Sequence, residues 1–251
     1  MKDKHLPLGE HINELRKRLT WSAVVVLLST IVAFTFHQYT LDFLMRPAEG
    51  FSEIPNQKPI YTELTEFIGI AMKVSLLTGI FISFPFVLYQ IVMFVAPGLS
   101  MTEKRYLFIL LPASVIAFTL GAAFGYLILF PPAVSFLLSF GSEVATPLIR
   151  IGSYANLMIT LLFWMGIVFE TPLVLFFLSR IGVVTPQFLS RNRRYAVVIA
   201  FILGALITPT LDPVNQTFVA LPIILMYELG IWLSKLGARL RRNVPRDTSN
   251  L

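Results

Sequence analysis

The sequence predicts an all-α membrane protein with six transmembrane helices, and three observations support this class. Of the 251 residues, 56% are hydrophobic and 14% are charged, whereas a soluble globular domain has roughly 25% charged residues. The mean hydropathy is +0.75, which excludes an ordinary soluble protein and a disordered one. Apolar stretches longer than about 18 residues recur along the chain, and each of these is long enough to cross a bilayer.

Six apolar stretches follow one another within a single membrane domain that has no long linker. They lie at 19–36, 67–95, 106–130, 155–178, 195–207 and 218–233, and a basic tail at 237–251 follows. Prolines are expected to end three of the helices, because proline cannot continue the backbone hydrogen bonds of a helix interior. These breakers are Pro97, the pair Pro131-Pro132, and Pro209.

The last two stretches are short for a bilayer. The fifth has 13 residues, or roughly 20 Å at 1.5 Å per residue, against a hydrocarbon core of about 30 Å. Two interpretations remain open: a re-entrant hairpin, or two short helices that cross a locally thinned bilayer. The loop at 208–216 between them has no Lys or Arg, so we favour the pair that crosses and returns.

Positively charged side chains are concentrated in alternate segments between the predicted spans. Sixteen of the 20 Lys and Arg lie in the N-terminal segment, the loops after the second and fourth spans, and the tail, while three lie in the intervening segments. Basic residues of short loops stay in the cytoplasm, so both termini are predicted to be cytoplasmic. The net charge of +6 therefore reflects basic loops, and we expect no nucleic-acid partner.

Glu170 is the acidic residue that lies deepest in a predicted span, about 12 Å from its cytoplasmic end by helical rise. A charge at such a depth costs at least about 2.5 kcal/mol, so the side chain is expected to face protein or a wet cavity. Pro172 leaves the carbonyl of Val168 without its helical donor, and a protonated Glu170 could donate to such a group. One candidate function is therefore a proton-coupled secondary transporter, although the chain has a single deep acid and no evident inverted repeat. A packing contact with a neighbouring helix is the structural alternative.

Acidic residues are embedded in the basic segments that the charge pattern assigns to the cytoplasm. Glu10 and Glu14 lie four residues apart just before the first span, and Glu103 lies in the loop after the second. Together they could form a small acidic site that binds a guanidinium group through charge-assisted hydrogen bonds. Taken singly, each is a solvated partner of its own neighbours, as Glu14 is of Arg18 one helical turn later.

Enzymatic and metal-binding functions find no support in the sequence. It contains none of the G-x-S-x-G, H-E-x-x-H or P-loop patterns. Its three histidines do not have the spacing of metal ligands. We therefore expect neither catalysis nor a metal or other cofactor.

Several short motifs follow one another along the chain: EHINELRKRL at 10–19, LYQ at 88–90, FVAPGL at 94–99, EKR at 103–105, FP at 130–131 with the preceding Tyr126, FETP at 169–172 and GVVTP at 182–186. In sequence and in order they resemble the motifs of the TatC family, the multi-span receptor subunit of the twin-arginine protein translocase. The resemblance runs from about residue 8 to residue 236, which is nearly the whole chain.

The resemblance implies a six-helix, cup-shaped bundle with two short last helices, in a bacterial or archaeal cytoplasmic membrane. It implies a receptor that binds signal peptides with consecutive arginines and exports folded proteins, driven by the proton motive force. Its implied partners are single-span TatA/TatB-type subunits, in an oligomeric complex, and membrane lipid. Matching positions are Glu14, Arg16, Phe94 and Glu103 for the signal peptide, Pro47, Tyr126 and Glu170 for structure and translocation, and Glu170, Asp212 and Gln216 for partner helices.

Overall fold

The computed structural model describes residues 8–51, 59–99, 101–140, 148–208 and 212–242, apart from the side chains of residues 8, 49, 101–103, 241 and 242. In this part of the chain the regular secondary structure is helical, and one isolated parallel bridge joins Ile60 to Arg150. The predicted all-α class is confirmed.

Nine α-helices occupy the described ranges. They are α1 (Leu8–Thr35), α2 (His37–Met45), α3 (Glu66–Val95), α4 (Met101–Phe124), α5 (Phe130–Ser139), α6 (Ile151–Ile181), α7 (Pro186–Arg191), α8 (Arg193–Ile207) and α9 (Pro213–Arg242). Two 3-10 turns, Arg46–Gly50 and Ala96–Gly98, follow α2 and α3, and a π-helical turn, Gly125–Leu129, joins α4 to α5.

Five helical stretches in the described ranges are long and apolar enough to cross a membrane. They are Gly9–Thr35, Glu66–Gly98, Lys104–Ser139, Ile151–Ile181 and Pro213–Leu240. Helix α8 has 15 residues, fewer than the roughly 20 residues that a straight span needs. A sixth crossing by α8 therefore stays a prediction, as does the orientation of the termini.

Helix α9 corrects the expectation that the last two helices are both short. Helix α8 agrees with that expectation, but α9 has 30 residues and extends beyond both ends of the apolar stretch at 218–233. An apolar count stops at the first polar side chains, whereas a helix continues as long as its backbone hydrogen bonds do. For this reason Asn215 and Gln216 near the start of α9, and Lys235 and Arg239 near its end, are helical.

The pair Pro131-Pro132 does not end a helix, which corrects a second expectation. The π-helical turn leads directly into α5, and both prolines lie in the first turn of α5. The fixed φ of proline suits a helix, and the preceding π-helical turn, in which Phe130 N–H bonds to Gly125 O, changes the hydrogen-bond register where the proline N–H groups are missing. Pro97 and Pro209 do come within two residues after the ends of α3 and α8, as predicted.

The first of two compact units comprises Met1–Arg46 and Tyr61–Val115. Within it, α1 packs along α3, and α2 also contacts α3. A Cβ atom on Gly79 of α3 would lie 2.7 Å from the main-chain N and Cα of Thr30 on α1. Because glycine has no side chain, the two backbones approach closely at this point, and the alignment of α1 on α3 depends on it.

The second compact unit comprises Pro47–Ile60 and Ile116–Leu251. Helix α6 packs along α9 and against the π-helical turn. Glycine again permits a close approach, since a Cβ atom on Gly121 would lie 2.8 Å from the Cβ of Phe169. The largest fully buried side chains of this unit include Phe118, Phe130, Met158, Leu161, Met165 and Ile231.

Candidate functional site

Glu14 and Arg18 form an ion pair on one face of α1, one helical turn apart. Arg18 Nε donates to Glu14 Oε1 at 3.0 Å, and Arg18 Nη2 donates to the same oxygen. Both side chains are largely covered, with 21% of Arg18 and 22% of Glu14 exposed. The predicted i,i+4 pair is confirmed, and its burial protects it from the solvent screening that weakens exposed ion pairs.

The ion pair lines a cavity of about 540 Å³ in the first unit. Its walls come from α1 and α3: Asn13, Glu14, Lys17, Arg18, Trp21, Tyr89 and Gln90. The α1 residues recur every three or four positions and therefore form one face of the helix. Arg18 Nη1 donates to Gln90 Oε1 at 3.2 Å, so one guanidinium group contacts both walls.

The carboxylate of Glu14 lines the cavity and is bound there by a guanidinium group of the same helix. Two N–H groups of Arg18 converge on Glu14 Oε1, while Glu14 Oε2 accepts no hydrogen bond from the described residues. Charge-assisted bonds of this kind are roughly twice as strong as neutral ones. Trp21 and Tyr89 are 53% and 40% exposed, so their aromatic side chains offer apolar surface at the cavity.

Phe94, a predicted site residue, stacks on the ring of His11. The two ring centroids are 4.4 Å apart and the planes meet at 19°. His11 is exposed on α1, whereas Phe94 is half-buried on α3 and lies one turn beyond Gln90. The stack therefore joins α1 to α3 a second time, although neither ring lines the cavity.

Arg16 and Glu103 complete the set of residues that the sequence assigned to this site. Arg16 is exposed on α1 and does not line the cavity, because it lies two residues from Glu14 and so belongs to a different helix face. Glu103 lies in the first turn of α4, and its side chain is outside the described residues. Its pairing with Glu14 around one ligand stays a prediction.

Gln90 is one of several cavity residues that the sequence analysis did not assign to the site. It lies in the LYQ motif, but one polar residue in an apolar helix has many structural explanations. The packing of α1 on α3 is needed to show that Gln90 contacts the turn of α1 that carries Arg18. Lys17 and Trp21 did have a sequence signal, because they share the helical spacing of Glu14.

Three further predicted residues lie in the second unit. Glu170 is half-buried on α6, which continues as a helix past Pro172. Tyr126 is half-buried in the π-helical turn, and Pro47 is half-buried in the 3-10 turn that follows α2. Their roles in structure and translocation stay predictions.

Asp212 and Gln216, assigned to partner helices, both make contacts within the second unit. Asp212 Oδ1 accepts from the main-chain N of Asn215 at 2.7 Å, and Oδ2 accepts from Asn215 Nδ2 at 3.1 Å. Gln216 Nε2 donates to the main-chain oxygen of Phe201 at 2.7 Å and so ties α9 to α8. A role in partner binding would come in addition to these contacts, and it stays a prediction.

Comparison with known proteins extends over almost the whole chain. The family model described as Sec-independent protein translocase protein (TatC) matches residues 10–222. A Sec-independent protein translocase protein TatC of Aquifex aeolicus (strain VF5) is 38% identical over 243 residues, which are 96% of this chain and 100% of that protein. The protein of the same description from Carboxydothermus hydrogenoformans is 33% identical over 235 residues, 94% of this chain and 95% of its own.

A solved structure has the same fold. It is described as the crystal structure of the twin arginine translocase receptor TatC, and it is 39% identical to this chain with a TM-score of 0.82. The match covers 91% of this chain and 100% of that structure. The chain therefore belongs to the TatC family, and it is a multi-pass membrane component of Sec-independent protein translocation.

Proposed function

We propose that this chain is the receptor subunit of a twin-arginine translocase and binds signal peptides with consecutive arginines at the cytoplasmic face of the membrane. The cargo is then exported in its folded form with TatA/TatB-type partners, driven by the proton motive force. The observation that carries this proposal is the half-buried carboxylate of Glu14, which holds a guanidinium group inside the cavity of the first unit. The similar solved structure is itself described as a twin arginine translocase receptor.

The proposed ligand has two guanidinium groups followed by an apolar segment. Glu14 supplies a carboxylate for one of them, and Glu103 in the first turn of α4 is proposed to supply the other. Trp21 and Tyr89 offer ring surface to the apolar segment. Arg16 and Phe94 are proposed to contact the signal peptide beside these acids, and neighbouring basic residues of α1 would bind anionic lipid and hold this end of the receptor at the bilayer surface.

The proposed topology has six spans with both termini in the cytoplasm. Helix α8 is the additional crossing, at a place where the bilayer thins around its 15 residues. Single-span partner helices are proposed to bind around Asp212 and Gln216 at the start of α9, and Glu170 on α6 is proposed to take part in the same contact.

Titration with a synthetic peptide tests the receptor function. The full chain in lipid nanodiscs is mixed with a fluorescent peptide that carries Arg-Arg before an apolar segment. We expect Glu14→Gln and Glu103→Gln each to weaken binding by about tenfold or more, since each leaves a guanidinium without its carboxylate. Unchanged affinity in both variants would reject the site.

Glu10→Gln is the matched control for that titration. Glu10 lies on the same helix, is exposed, and does not line the cavity. Its charge is screened by salt, so affinity should change by less than about twofold. A loss of affinity as large as that of Glu14→Gln would mean that the peptide responds to the surface charge of α1 and does not bind in the cavity.

A further inference from the structure

We infer that Arg18 is a resident guanidinium that occupies the ligand position on Glu14 and is exchanged for an arginine of the incoming peptide. This inference rests on the proposed function and adds a specificity-determining residue to the same site. Its basis is that the carboxylate offered to the ligand is already bound by a side chain of the same chemistry.

The geometry leaves Glu14 only half available to a ligand. Both Arg18 donors use Oε1, and Oε2 is the oxygen without a donor among the described residues. A ligand arginine can therefore approach Oε2 first. A fork of two parallel bonds requires both carboxylate oxygens, so the ligand completes its pair only when Arg18 leaves Oε1.

The charge inside the cavity points in the same direction. Among the described residues that line the cavity, Glu14 is the acid, whereas Lys17 and Arg18 are both cations. With Arg18 on Glu14, the carboxylate is already neutralised and Lys17 repels a further cation. Release of Arg18 from Glu14 frees the negative charge of the carboxylate for the incoming group.

Gln90 gives the displaced side chain a second acceptor. Arg18 Nη1 already donates to Gln90 Oε1 at 3.2 Å, and this bond can persist when the bonds to Glu14 are given up. A neutral amide oxygen holds a guanidinium less strongly than a carboxylate does. Arg18 can therefore stay at the wall of the cavity without competing with the ligand for a second charge.

The exchange means that Arg18 raises the selectivity of the site for arginine over lysine. Breaking the pair between Arg18 and Glu14 costs free energy, and the ligand offsets that cost best when its own pair with Glu14 is at least as favourable. An arginine meets that condition because it makes the fork, whereas a lysine ammonium is a compact point charge that does not. Removing Arg18 should therefore tighten binding of any cationic peptide and reduce the preference for arginine.

The test uses the full chain in nanodiscs, with fluorescent peptides that carry Arg-Arg or Lys-Lys before the same apolar segment. We expect Arg18→Gln to bind the Arg-Arg peptide about two- to tenfold more tightly than the wild type, and to lower the ratio between the two peptides. Arg18→Lys, which keeps the charge but not the fork, should give a smaller gain. Arg18→Lys is the second variant in case Arg18→Gln does not fold, and it is judged by the same two quantities: the affinity for the Arg-Arg peptide and the ratio of affinities between the two peptides.

Gln90→Leu and the double variant test the exchange itself. Without its second acceptor Arg18 stays on Glu14, so Gln90→Leu should weaken binding of the Arg-Arg peptide. That effect should vanish in the Arg18→Gln background, because there is then no side chain to displace. Persistence of the full Gln90→Leu effect in that background would assign Gln90 to direct ligand contact and overturn the exchange.

Arg191→Gln is the control for a general effect of charge. Arg191 is exposed on α7, so this substitution removes one positive charge outside the cavity. A gain equal to that of Arg18→Gln would overturn the inference. Weaker binding in both Arg18→Gln and Arg18→Lys would also overturn it, since Arg18 would then orient Glu14 for the ligand. Failure of the proposed function looks different: the peptide binds equally well to the wild type and Glu14→Gln.

Discussion

The side-chain oxygen Oδ1 of Asp212 accepts a hydrogen bond from the main-chain N–H of Asn215 at 2.7 Å. Asp212 directly precedes Pro213, the first residue of α9. This is the N-cap arrangement, in which a carboxylate satisfies an amide that has no partner within the first helical turn. Proline at the next position supports it, because its φ is already suited to a helix. The acid assigned to partner helices thus has an internal role.

Substitution of the cap predicts a measurable loss of stability. Asp212→Ala removes the acceptor, and we expect the free energy of unfolding to fall by about 0.5–2 kcal/mol. Asp212→Ser should keep most of it, because serine is an equally common N-cap. Thermal unfolding of the detergent-solubilised chain, followed by helical circular dichroism, measures both effects.

The serine variant also separates capping from partner binding, because it keeps a cap and removes the negative charge. If partner helices bind through that charge, the amount of single-span partner that copurifies falls in Asp212→Ser, while the unfolding temperature stays near that of the wild type. If capture is lost only in Asp212→Ala, Asp212 acts through the helix cap alone.

The close contact of α8 with α9 leads to a second prediction. A Cβ atom on Gly204 would lie 2.8 Å from the main-chain oxygen of Gln216, at the helix pair that Gln216 also ties to Phe201. Gly204→Ala must push the two helices apart, so we expect it to lower the free energy of unfolding by about 1–3 kcal/mol. Gly69→Ala is the matched control, since nothing lies within 4 Å of a Cβ there and alanine is the better helix former. A melting temperature lower in Gly69→Ala than in Gly204→Ala would contradict this account.

The length of an apolar stretch and the proline that follows it are local features of the sequence, and they predicted the bounds of two helices closely. Helix α3 is Glu66–Val95 against a predicted 67–95, and α8 is Arg193–Ile207 against a predicted 195–207. The length of α9 and the helical path through Pro131 could not be predicted in the same way. Polar residues and prolines near a helix end are compatible with either continuation or termination, and contacts elsewhere in the unit decide.

In the candidate site, too, the contact between residues close in sequence was predicted and the contact between distant residues was not. Glu14 and Arg18 are four residues apart on one helix, so their spacing alone predicted the ion pair. Gln90 meets Arg18 across 72 residues of sequence, and no local pattern connects them. Their contact follows from the packing of α1 on α3, which the missing side chain of Gly79 permits.

Glu170→Gln separates the two functions that a deep acid suggests. A carboxamide keeps the size and hydrogen-bonding capacity of a carboxylic acid, but it does not take up and release a proton. We expect export of a folded reporter with an Arg-Arg signal peptide to continue in Glu170→Gln and to fail in Glu170→Ala. Proton-coupled solute uptake into vesicles that is abolished by Glu170→Gln would instead favour a secondary transporter.

Peptides with one arginine replaced predict which carboxylate binds which ligand residue. An ammonium cannot make the forked pair with a carboxylate, so we expect Lys-Arg and Arg-Lys peptides each to bind several-fold more weakly than Arg-Arg at a fixed salt concentration. In Glu14→Gln, one of the two substitutions should lose its effect, because the guanidinium that it replaces no longer has a carboxylate partner. In Glu103→Gln the other substitution should lose its effect. If both substitutions keep their full cost in both variants, the two acids do not each hold one arginine, and the pairing of Glu14 with Glu103 around a single ligand is wrong.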